Sequence, residues 1–246
     1  MRQTVSISEE KGTVSMQRII DFHSHILPGA DHGCSDVREA LLQLRLAKKF
    51  GTTDIVATPH FEPENDTVSA FLKKREAAVN TLLPYLTAEM PRVFVGAEVL
   101  LCEGMEKMPD LDKLTVEGTK LLLLERPFLP LTDGMAATIA AIREKGFDVL
   151  LAHVDRYKVQ ETCQVLYPGV WAQINSESLS SVFTRKKWLR FCYDGMVGAV
   201  GSDLHGVPQD YNAFGKLPRV MKDEFEATMA VSERLLRDAV PLPVNA

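Results

Sequence analysis

Short apolar runs alternate with amphipathic segments along the chain, and most runs end in a polar or charged residue. Between the runs, apolar residues recur at the three- and four-residue spacing of a helix. Near-continuous apolar strands separated by helices indicate a parallel sheet that is buried on both faces. The predicted strands cover residues 18–23, 53–58, 93–98, 120–125, 148–153, 170–175 and 197–203.

The amphipathic segments predict the helices that follow these strands. Asp36 and Glu39 resemble a capping box at the start of the first helix. A further helix follows the sixth strand and runs through Trp188, and a long helix closes the chain near residues 219–239. The other predicted helices cover residues 37–50, 68–83 and 134–145.

Seven strand–helix units predict a seven-stranded (β/α) barrel, with a doubly wound open sheet as the alternative. The polar residues gather at the carboxyl ends of the strands, the face where barrel enzymes build their sites. Turn residues are spread evenly and mark no linker. We therefore predict a polar leader over residues 1–17 and one domain over residues 18–246.

Composition excludes several classes of protein. The chain has 246 residues, of which 46% are hydrophobic and 25% charged, so it is not disordered. Its net charge of −5 argues against a general nucleic-acid binder. No run approaches the roughly 20 apolar residues of a membrane span, and the first residues lack a secretory signal, so we interpret the chain as cytoplasmic. The four cysteines form neither a CxxC pair nor a Cys-x5-Arg phosphatase loop.

The six histidines carry the candidate chemistry, since each falls at or just after a predicted strand end. His23 and His25 are two residues apart and would therefore point to one face of a strand. Imidazole is a good ligand for zinc, iron and similar ions. The alternative is a set of ordinary core or surface histidines. The remaining four are His32, His60, His153 and His205.

Three acidic residues accompany the histidines: Glu98, Glu125 and Asp203. Glu125 follows four leucines, where a carboxylate costs several kcal/mol unless it is paired or bound to a metal. A salt bridge to Arg126 is the alternative for Glu125, and a solvent-facing strand position is the alternative for Glu98. Asp203 and His205 repeat the two-residue spacing, or else form a simple turn.

Two further segments lie near the predicted strand ends. Asp31 and His32 precede a glycine after the first strand, and this segment could also be an ordinary turn. Arg156 follows His153 by three residues. Its guanidinium could bind phosphate oxygens in bidentate fashion, or lie in a surface loop. Asn175 ends the sixth strand and could bind a ligand or substrate.

Taken in order, these motifs resemble the polymerase and histidinol phosphatase (PHP) superfamily. The chain looks like the branch of capsule-biosynthesis, manganese-dependent protein-tyrosine phosphatases. The resemblance runs from Ile19 to the final helix and is carried by a combination of motifs, each weak alone. They are HSHILPG at residues 23–29, DHG at 31–33, ATPH at 57–60, GAE at 96–98, LE at 124–125, AH at 152–153 with Arg156 and Tyr157, NS at 175–176 and SDLH at 202–205.

The resemblance implies a distorted (β/α)7 barrel that holds three metal ions, with manganese expected and zinc or iron as alternatives. Arg156 matches the catalytic arginine of the family. The implied ligands are His23, His25, Glu98 and Asp203 for the first ion, Glu98, Glu125 and His153 for the second, and His32, His60 and His205 for the third.

Three positions depart from the branch. The branch usually has a second Asp where this chain has His32, and His-x-Glu-Arg where this chain has Asp155. A basic residue often follows the Asp-x-His motif, whereas residues 206–210 contain no Lys or Arg. The expected site is therefore more positive at His32 and lacks a second phosphate clamp.

The sequence thus predicts a metal-dependent phosphomonoesterase, with phosphotyrosine on protein as the leading substrate and a bacterial tyrosine kinase as the partner that the resemblance implies. A hydroxide between two ions is the expected nucleophile, because metal binding brings the pKa of water towards about 7. One alternative is a phosphatase of a small molecule such as histidinol phosphate or a sugar phosphate. Another is a non-catalytic, metal-binding regulatory module.

Overall fold

The computed structural model describes residues 18–206 and 211–245. The predicted leader over residues 1–17 lies outside these ranges. Residues 207–210, which belong to the segment without Lys or Arg after the Asp-x-His motif, also lie outside them. Nine strands are present in the described residues: β1 (Ile20–Ser24), β2 (Asp54–Ala57), β3 (His60–Phe61), β4 (Arg92–Val95), β5 (Glu98–Leu100), β6 (Leu121–Glu125), β7 (Asp148–Leu151), β8 (Val170–Asn175) and β9 (Val197–Gly201).

Eight of the nine strands lie at the seven predicted positions, because β4 and β5 share one, whereas β3 lies beyond the predicted end of the second strand. Pro59 separates β2 from β3, and residues 96–97 separate β4 from β5. Proline cannot donate a ladder hydrogen bond, so it breaks a central strand. The backbone N–H groups of Gly96 and Glu98 still donate to Ala57 and Pro59 across the interruption.

All strand pairs are parallel, and the backbone hydrogen bonds continue from the last strand to the first. One sheet has the order β1-β2-β4, and the other has the order β3-β5-β6-β7-β8-β9. After β9, the N–H of Asp203 donates to the carbonyl of His23 at 2.8 Å, and the N–H of His25 donates to Leu204 at 3.1 Å. This continuity agrees with the predicted distorted (β/α)7 barrel rather than with the open-sheet alternative.

The five predicted helices occur in the predicted order, and two short helices, Val159–Val165 and Asn212–Gly215, were not predicted. Asp36 caps α1 by accepting hydrogen bonds from the N–H groups of Arg38 and Glu39, while the Glu39 carboxylate accepts the N–H of Ser35 at 2.7 Å. The described helices are α1 (Val37–Lys49), α2 (Val68–Leu82), α3 (Asp133–Glu144), α4 (Val159–Val165), α5 (Ser176–Ser180), α6 (Arg185–Tyr193), α7 (Asn212–Gly215), α8 (Leu217–Met221) and α9 (Asp223–Leu235).

Two predicted helices are each divided in the structure. The helix after the sixth strand is split into α5 and α6, and the closing helix into α8 and α9. The second break lies at Lys222, whose φ of 54° belongs to a left-handed conformation that no right-handed helix can contain. The predicted uninterrupted helix over residues 219–239 was therefore wrong in its length.

The core lies between the strands and the surrounding helices. The four leucines of β6 are each at most 2% exposed, so the strand is buried on both faces as its sequence predicts. On α1, the buried residues Ala40, Gln43, Leu44 and Ala47 lie on one face. Among the helices of the described residues, none is both long enough and apolar enough to cross a membrane.

Candidate metal centre

The six histidines and three acids named above converge at the carboxyl ends of the strands. His23 lies within β1, and Glu125 is the last residue of β6. His60 and Glu98 begin β3 and β5 and are direct partners in the parallel register. His153 and Asp203 follow the ends of β7 and β9. The barrel therefore brings residues together that are up to 182 positions apart in the sequence, since His23 and His205 share the site.

One group of donors contains His23, His25 and Asp203, whose candidate ligand atoms all lie within 4.8 Å of one another. The Nε2 atoms of His23 and His25 are 3.1 Å apart. Oδ1 of Asp203 lies 3.5 Å and 3.3 Å from these two nitrogen atoms. Oε2 of Glu98 is also near, at 3.1 Å from His23 and 3.4 Å from His25. This arrangement supports the set proposed for the first ion.

Glu98 lies between this group and a second one. Its Oε1 is 2.8 Å from Nε2 of His153, while Oε1 of Glu125 is 3.4 Å from the same nitrogen. His60 approaches both acids through Nδ1, at 3.1 Å from Glu98 and 3.8 Å from Glu125. Donor atoms within 4.8 Å of one another group Glu98 with His23 and His153, and again with His60 and Glu125. The second set of Glu98, Glu125 and His153 therefore stays a prediction, with Glu98 at the centre of the cluster.

The third group gathers at the rim. The Nε2 atoms of His60 and His205 are 3.4 Å apart, and His25 completes a group of three donors within 4.8 Å. The exposed His32 stacks beside them, with ring centroids 4.7 Å from His60 and 4.6 Å from His205. The third set thus stays a prediction, in which His32 is the outermost member.

The donor set fits divalent metal ions. Glu98 is 1% exposed, yet its Oε2 has no hydrogen-bonding partner in suitable geometry among the described residues, and the same holds for Nδ1 of the buried His153. Buried polar atoms without partners are costly and rare. Six imidazoles facing three carboxylates offer the nitrogen and oxygen atoms that transition metals prefer.

The charges inside the cluster are strongly coupled. Burial by itself would lower the pKa of His23, but the negative charges of Glu98 and Asp203 outweigh it and raise that pKa to about 9. Burial and the nearby Glu98 charge raise the pKa of Glu125 to about 7. Burial lowers the pKa of His60 to about 4. Three carboxylates this close together are stabilised by positive charge, which the histidines or bound cations can provide.

The backbone is strained at two of the candidate ligands. His153 has φ 29° and Asp203 has φ 53°, whereas few non-glycine residues adopt positive φ. Such conformations persist where the surrounding structure enforces them, often at functional sites. Close packing also requires Gly201, because a Cβ atom there would lie 2.6 Å from Cβ of His23.

Three supporting residues hold the donors in place. Oε1 of Gln173 lies 3.1 Å from Nδ1 of His23 and accepts the backbone N–H of His153 at 2.6 Å. Nδ2 of Asn175 donates to Oδ2 of Asp203 at 3.0 Å. Sequence analysis missed Gln173, although its two-residue spacing from Asn175 in β8 places both on one face. Asp31 is the third supporting residue, and its carboxylate contacts Nδ1 of His25.

Arg156 lies at the edge of the cluster. Its guanidinium donates to Oδ2 of Asp203, and its side chain remains 39% exposed. Asp155 accepts the N–H of Asn175 at 2.9 Å and the hydroxyl of Ser178 at 2.7 Å, which anchors the turn that carries Arg156. Arg156 is therefore fixed at one end and accessible at the other, as an anion-binding group needs to be.

The alternative partner considered for Glu125 is engaged elsewhere. Arg126 donates to Glu161 at 2.7 Å, whereas Glu125 faces His60 and His153. The Glu125 carboxylate thus points into the cluster rather than into a salt bridge with its neighbour.

Known proteins share this sequence pattern and fold. The tyrosine-protein phosphatase YwqE of Bacillus subtilis is 29% identical over 204 residues, which cover 77% of this chain and 78% of YwqE. The tyrosine-protein phosphatase CpsB of Streptococcus pneumoniae is 26% identical, over 77% of this chain and 84% of CpsB. A solved structure from work on these two proteins, described as unique metal-dependent tyrosine phosphatases, has a TM-score of 0.70 at 24% identity and covers 93% of this chain and 100% of its own.

The match to a protein family spans the whole barrel and includes all nine candidate ligands. Residues 19–233 match the family of capsular polysaccharide synthesis proteins CpsB/CapC. This chain therefore belongs to the CpsB/CapC family.

Proposed function

We propose that this protein is a metal-dependent phosphomonoesterase that hydrolyses phosphotyrosine on protein. The observation that carries the proposal is the convergence of six imidazoles and three carboxylates at one end of the barrel, with Arg156 beside them. The similar proteins YwqE and CpsB are named tyrosine-protein phosphatases. A bacterial tyrosine kinase as partner and a cytoplasmic location belong to the same proposal.

Three divalent ions fit the donor set, with manganese expected first and zinc or iron as alternatives. His23, His25, Glu98 and Asp203 would hold the first. Bound ions would supply Lewis-acid stabilisation of phosphate oxygens and activate water. The other two sets are Glu98, Glu125 and His153 for the second ion, and His32, His60 and His205 for the third.

Arg156 would bind the phosphoryl group of the substrate. Phosphoryl transfer depends on positioning and on neutralising the charge of the equatorial oxygens. A guanidinium donates two parallel hydrogen bonds to such oxygens. In the structure Arg156 contacts Asp203, so the incoming phosphate would exchange one anionic partner for another at the same place.

The leaving group needs little protonation. Tyrosine has a pKa of about 10, so a phenolate departs more readily than an alkoxide. Nδ1 of His205 donates to the carbonyl oxygen of Asp203 at 3.0 Å, and its Nε2 faces His60. These contacts favour a role for His205 as a ligand rather than as the general acid.

Phosphate release from a panel of substrates tests the proposal. The panel contains a phosphotyrosine peptide, the matching phosphoserine peptide, histidinol phosphate and a sugar phosphate, each assayed after chelation and after addition of Mn²⁺. X-ray fluorescence of the purified protein identifies the metals. We expect preference for the phosphotyrosine peptide, loss of activity with chelator and recovery with Mn²⁺. Preference for a small phosphate ester would support the small-molecule alternative, and metal binding without turnover would support the regulatory module.

A further inference from the structure

An apolar cavity opens beside Arg156, outside the cluster of candidate ligands. It has a volume of about 220 Å³. Phe128, Leu129, Pro130 and Tyr157 supply its apolar lining, and Lys158 and Glu161 join Arg156 as its charged lining residues. A cavity of roughly 150 Å³ is enough to bind benzene in another protein. Arg156 lines this cavity and also contacts Asp203 in the cluster. One guanidinium thus joins the proposed phosphate position to an apolar cavity of sufficient size for an aromatic ring.

The wall of this cavity contains large apolar side chains that are exposed and do not belong to the buried core. Phe128 is 71% exposed and Leu129 is 63% exposed, although both lie only a few residues after the buried strand β6. Neighbouring exposed apolar side chains of this kind often mark ligand-binding sites. The Phe128 ring packs against Tyr157, with ring centroids 5.8 Å apart, so the two form an aromatic wall.

The aromatic wall is held in position by polar contacts behind it. The Tyr157 hydroxyl donates to the carbonyl oxygen of Arg126, and the Arg126 guanidinium lies 4.7 Å from the centre of the Tyr157 ring. Glu161 accepts hydrogen bonds from Arg126 at 2.7 Å and from the N–H of Leu131 at 3.2 Å. The loop that carries Phe128 is therefore attached to α4 on both sides of the aromatic residue.

We infer that Phe128 and Tyr157 bind the aromatic ring of the substrate when Arg156 binds its phosphate, and that Phe128 is a specificity-determining residue for aryl over alkyl phosphate esters. This inference rests on the proposed function and adds the basis of its selectivity. Aromatic rings attract one another through offset or edge-to-face contacts, which an alkyl group cannot make in the same way. The phosphate of an alkyl ester would bind Arg156 equally well, but its alkyl group would gain little binding energy from Phe128 and Tyr157.

Two phosphonates test the inference because they share one head group and cannot be hydrolysed. Calorimetry measures the affinity of the Mn²⁺-loaded protein for phenylphosphonate and for methylphosphonate. We expect the wild-type protein to prefer phenylphosphonate, and Phe128→Ala to reduce this preference roughly 3- to 10-fold, the range of a single aromatic contact. Methylphosphonate affinity should stay unchanged, and Phe128→Tyr should keep the preference.

Phe183→Ala is the matched control, because Phe183 is a 94% exposed phenylalanine that does not line this cavity. It should leave both affinities unchanged. The inference is overturned if Phe128→Ala keeps the full preference, if it weakens both phosphonates equally, or if the wild-type protein binds neither. Hydrolysis of a phosphotyrosine peptide is measured separately. Selective phenylphosphonate binding without hydrolysis would reject the proposed function while supporting the aryl site.

If the peptide is hydrolysed, the kinetic constants give a second readout. Phe128 contacts a part of the substrate that does not react, so its loss should raise KM and leave kcat nearly unchanged. A drop in kcat at constant KM would instead show that Phe128 acts on the reacting phosphate, which contradicts the inference.

Discussion

The carboxylate of Asp31 lies 2.7 Å from Nδ1 of His25 and so fixes the orientation of a candidate metal ligand. The same oxygen accepts the backbone N–H of His60 at 3.1 Å, and the other oxygen accepts the N–H of Gly33 at 2.8 Å. Burial would raise the pKa of Asp31, but its contact with His25 holds that pKa well below its usual range. An anionic Asp31 therefore orients His25 so that its Nε2 faces the cluster.

Asp31→Asn should weaken metal binding without unfolding the protein. Residues that orient metal-binding histidines contribute roughly 10- to 100-fold to metal affinity or activity. We expect a loss in this range, measured by titration of the metal-free protein with Mn²⁺. Asp36→Asn is the control, because Asp36 is exposed, caps α1, and asparagine is an equally good cap. Equal affinity for Mn²⁺ in both variants would contradict this prediction and show that Asp31 is only a turn residue.

Arg156→Ala should lower kcat and leave the metal content unchanged. A single group that stabilises transition-state charge contributes roughly 10²- to 10³-fold to kcat. The matched control is Arg190→Ala, because the Arg190 side chain is 84% exposed and its ion pair with Asp194 is long, at 3.9 Å. Steady-state kinetics with a phosphotyrosine peptide measures the effect. Near-normal turnover of the Arg156 variant would show that Arg156 is an ordinary surface residue that does not stabilise the transition state.

Strand-end position made the candidate ligands predictable, because parallel strands of one barrel end at one face. His153 and Asp203, for example, follow separate apolar runs and meet in the structure. The supporting contacts were harder to predict from the sequence. Gln173 reaches two histidines from another strand, and the Arg126–Glu161 pair joins residues 35 positions apart. Such pairs depend on tertiary packing, which a single sequence pattern does not encode.

Interruptions of the regular elements were also harder to predict. The residues around Gly96 divide an apolar run that looks continuous in the sequence, and the short strand β3 after Pro59 was not predicted. At residue 222 a lysine adopts positive φ, and nothing in its side chain indicates this. The periodicity of apolar residues indicates which face of a helix or strand is buried. The positions at which an element is interrupted depend instead on how each segment packs against the barrel.

The thiol groups should be dispensable for activity. Burial raises the pKa of Cys34 and of Cys192 to about 12, so at pH 8 both stay protonated and unreactive. Cys163 is exposed and should react first with iodoacetamide. We expect phosphate release to continue after Cys163 is alkylated, as mass spectrometry can verify, but to stop when a chelator is added.

His32 is the position at which this chain departs most clearly from the branch that it resembles. There an aspartate is expected, whereas here a third imidazole stands beside His60 and His205. Replacing a carboxylate with a neutral imidazole makes the local site more positive by about one charge, which favours binding of a phosphate dianion. It also makes the donor set poorer in oxygen, which suits zinc or iron better than Mn²⁺.

His32→Asp should therefore shift metal preference towards Mn²⁺, and His32→Ala should lower metal occupancy and activity together. Because His32 is exposed, neither substitution removes buried packing, so both variants should fold. Competition between Zn²⁺ and Mn²⁺, followed by X-ray fluorescence, measures the preference, and total metal per chain measures occupancy. Glu76 is exposed on α2, and the control Glu76→Gln should change neither quantity. Full metal content together with full activity in His32→Ala would show that His32 is a turn residue and not a ligand of the third ion.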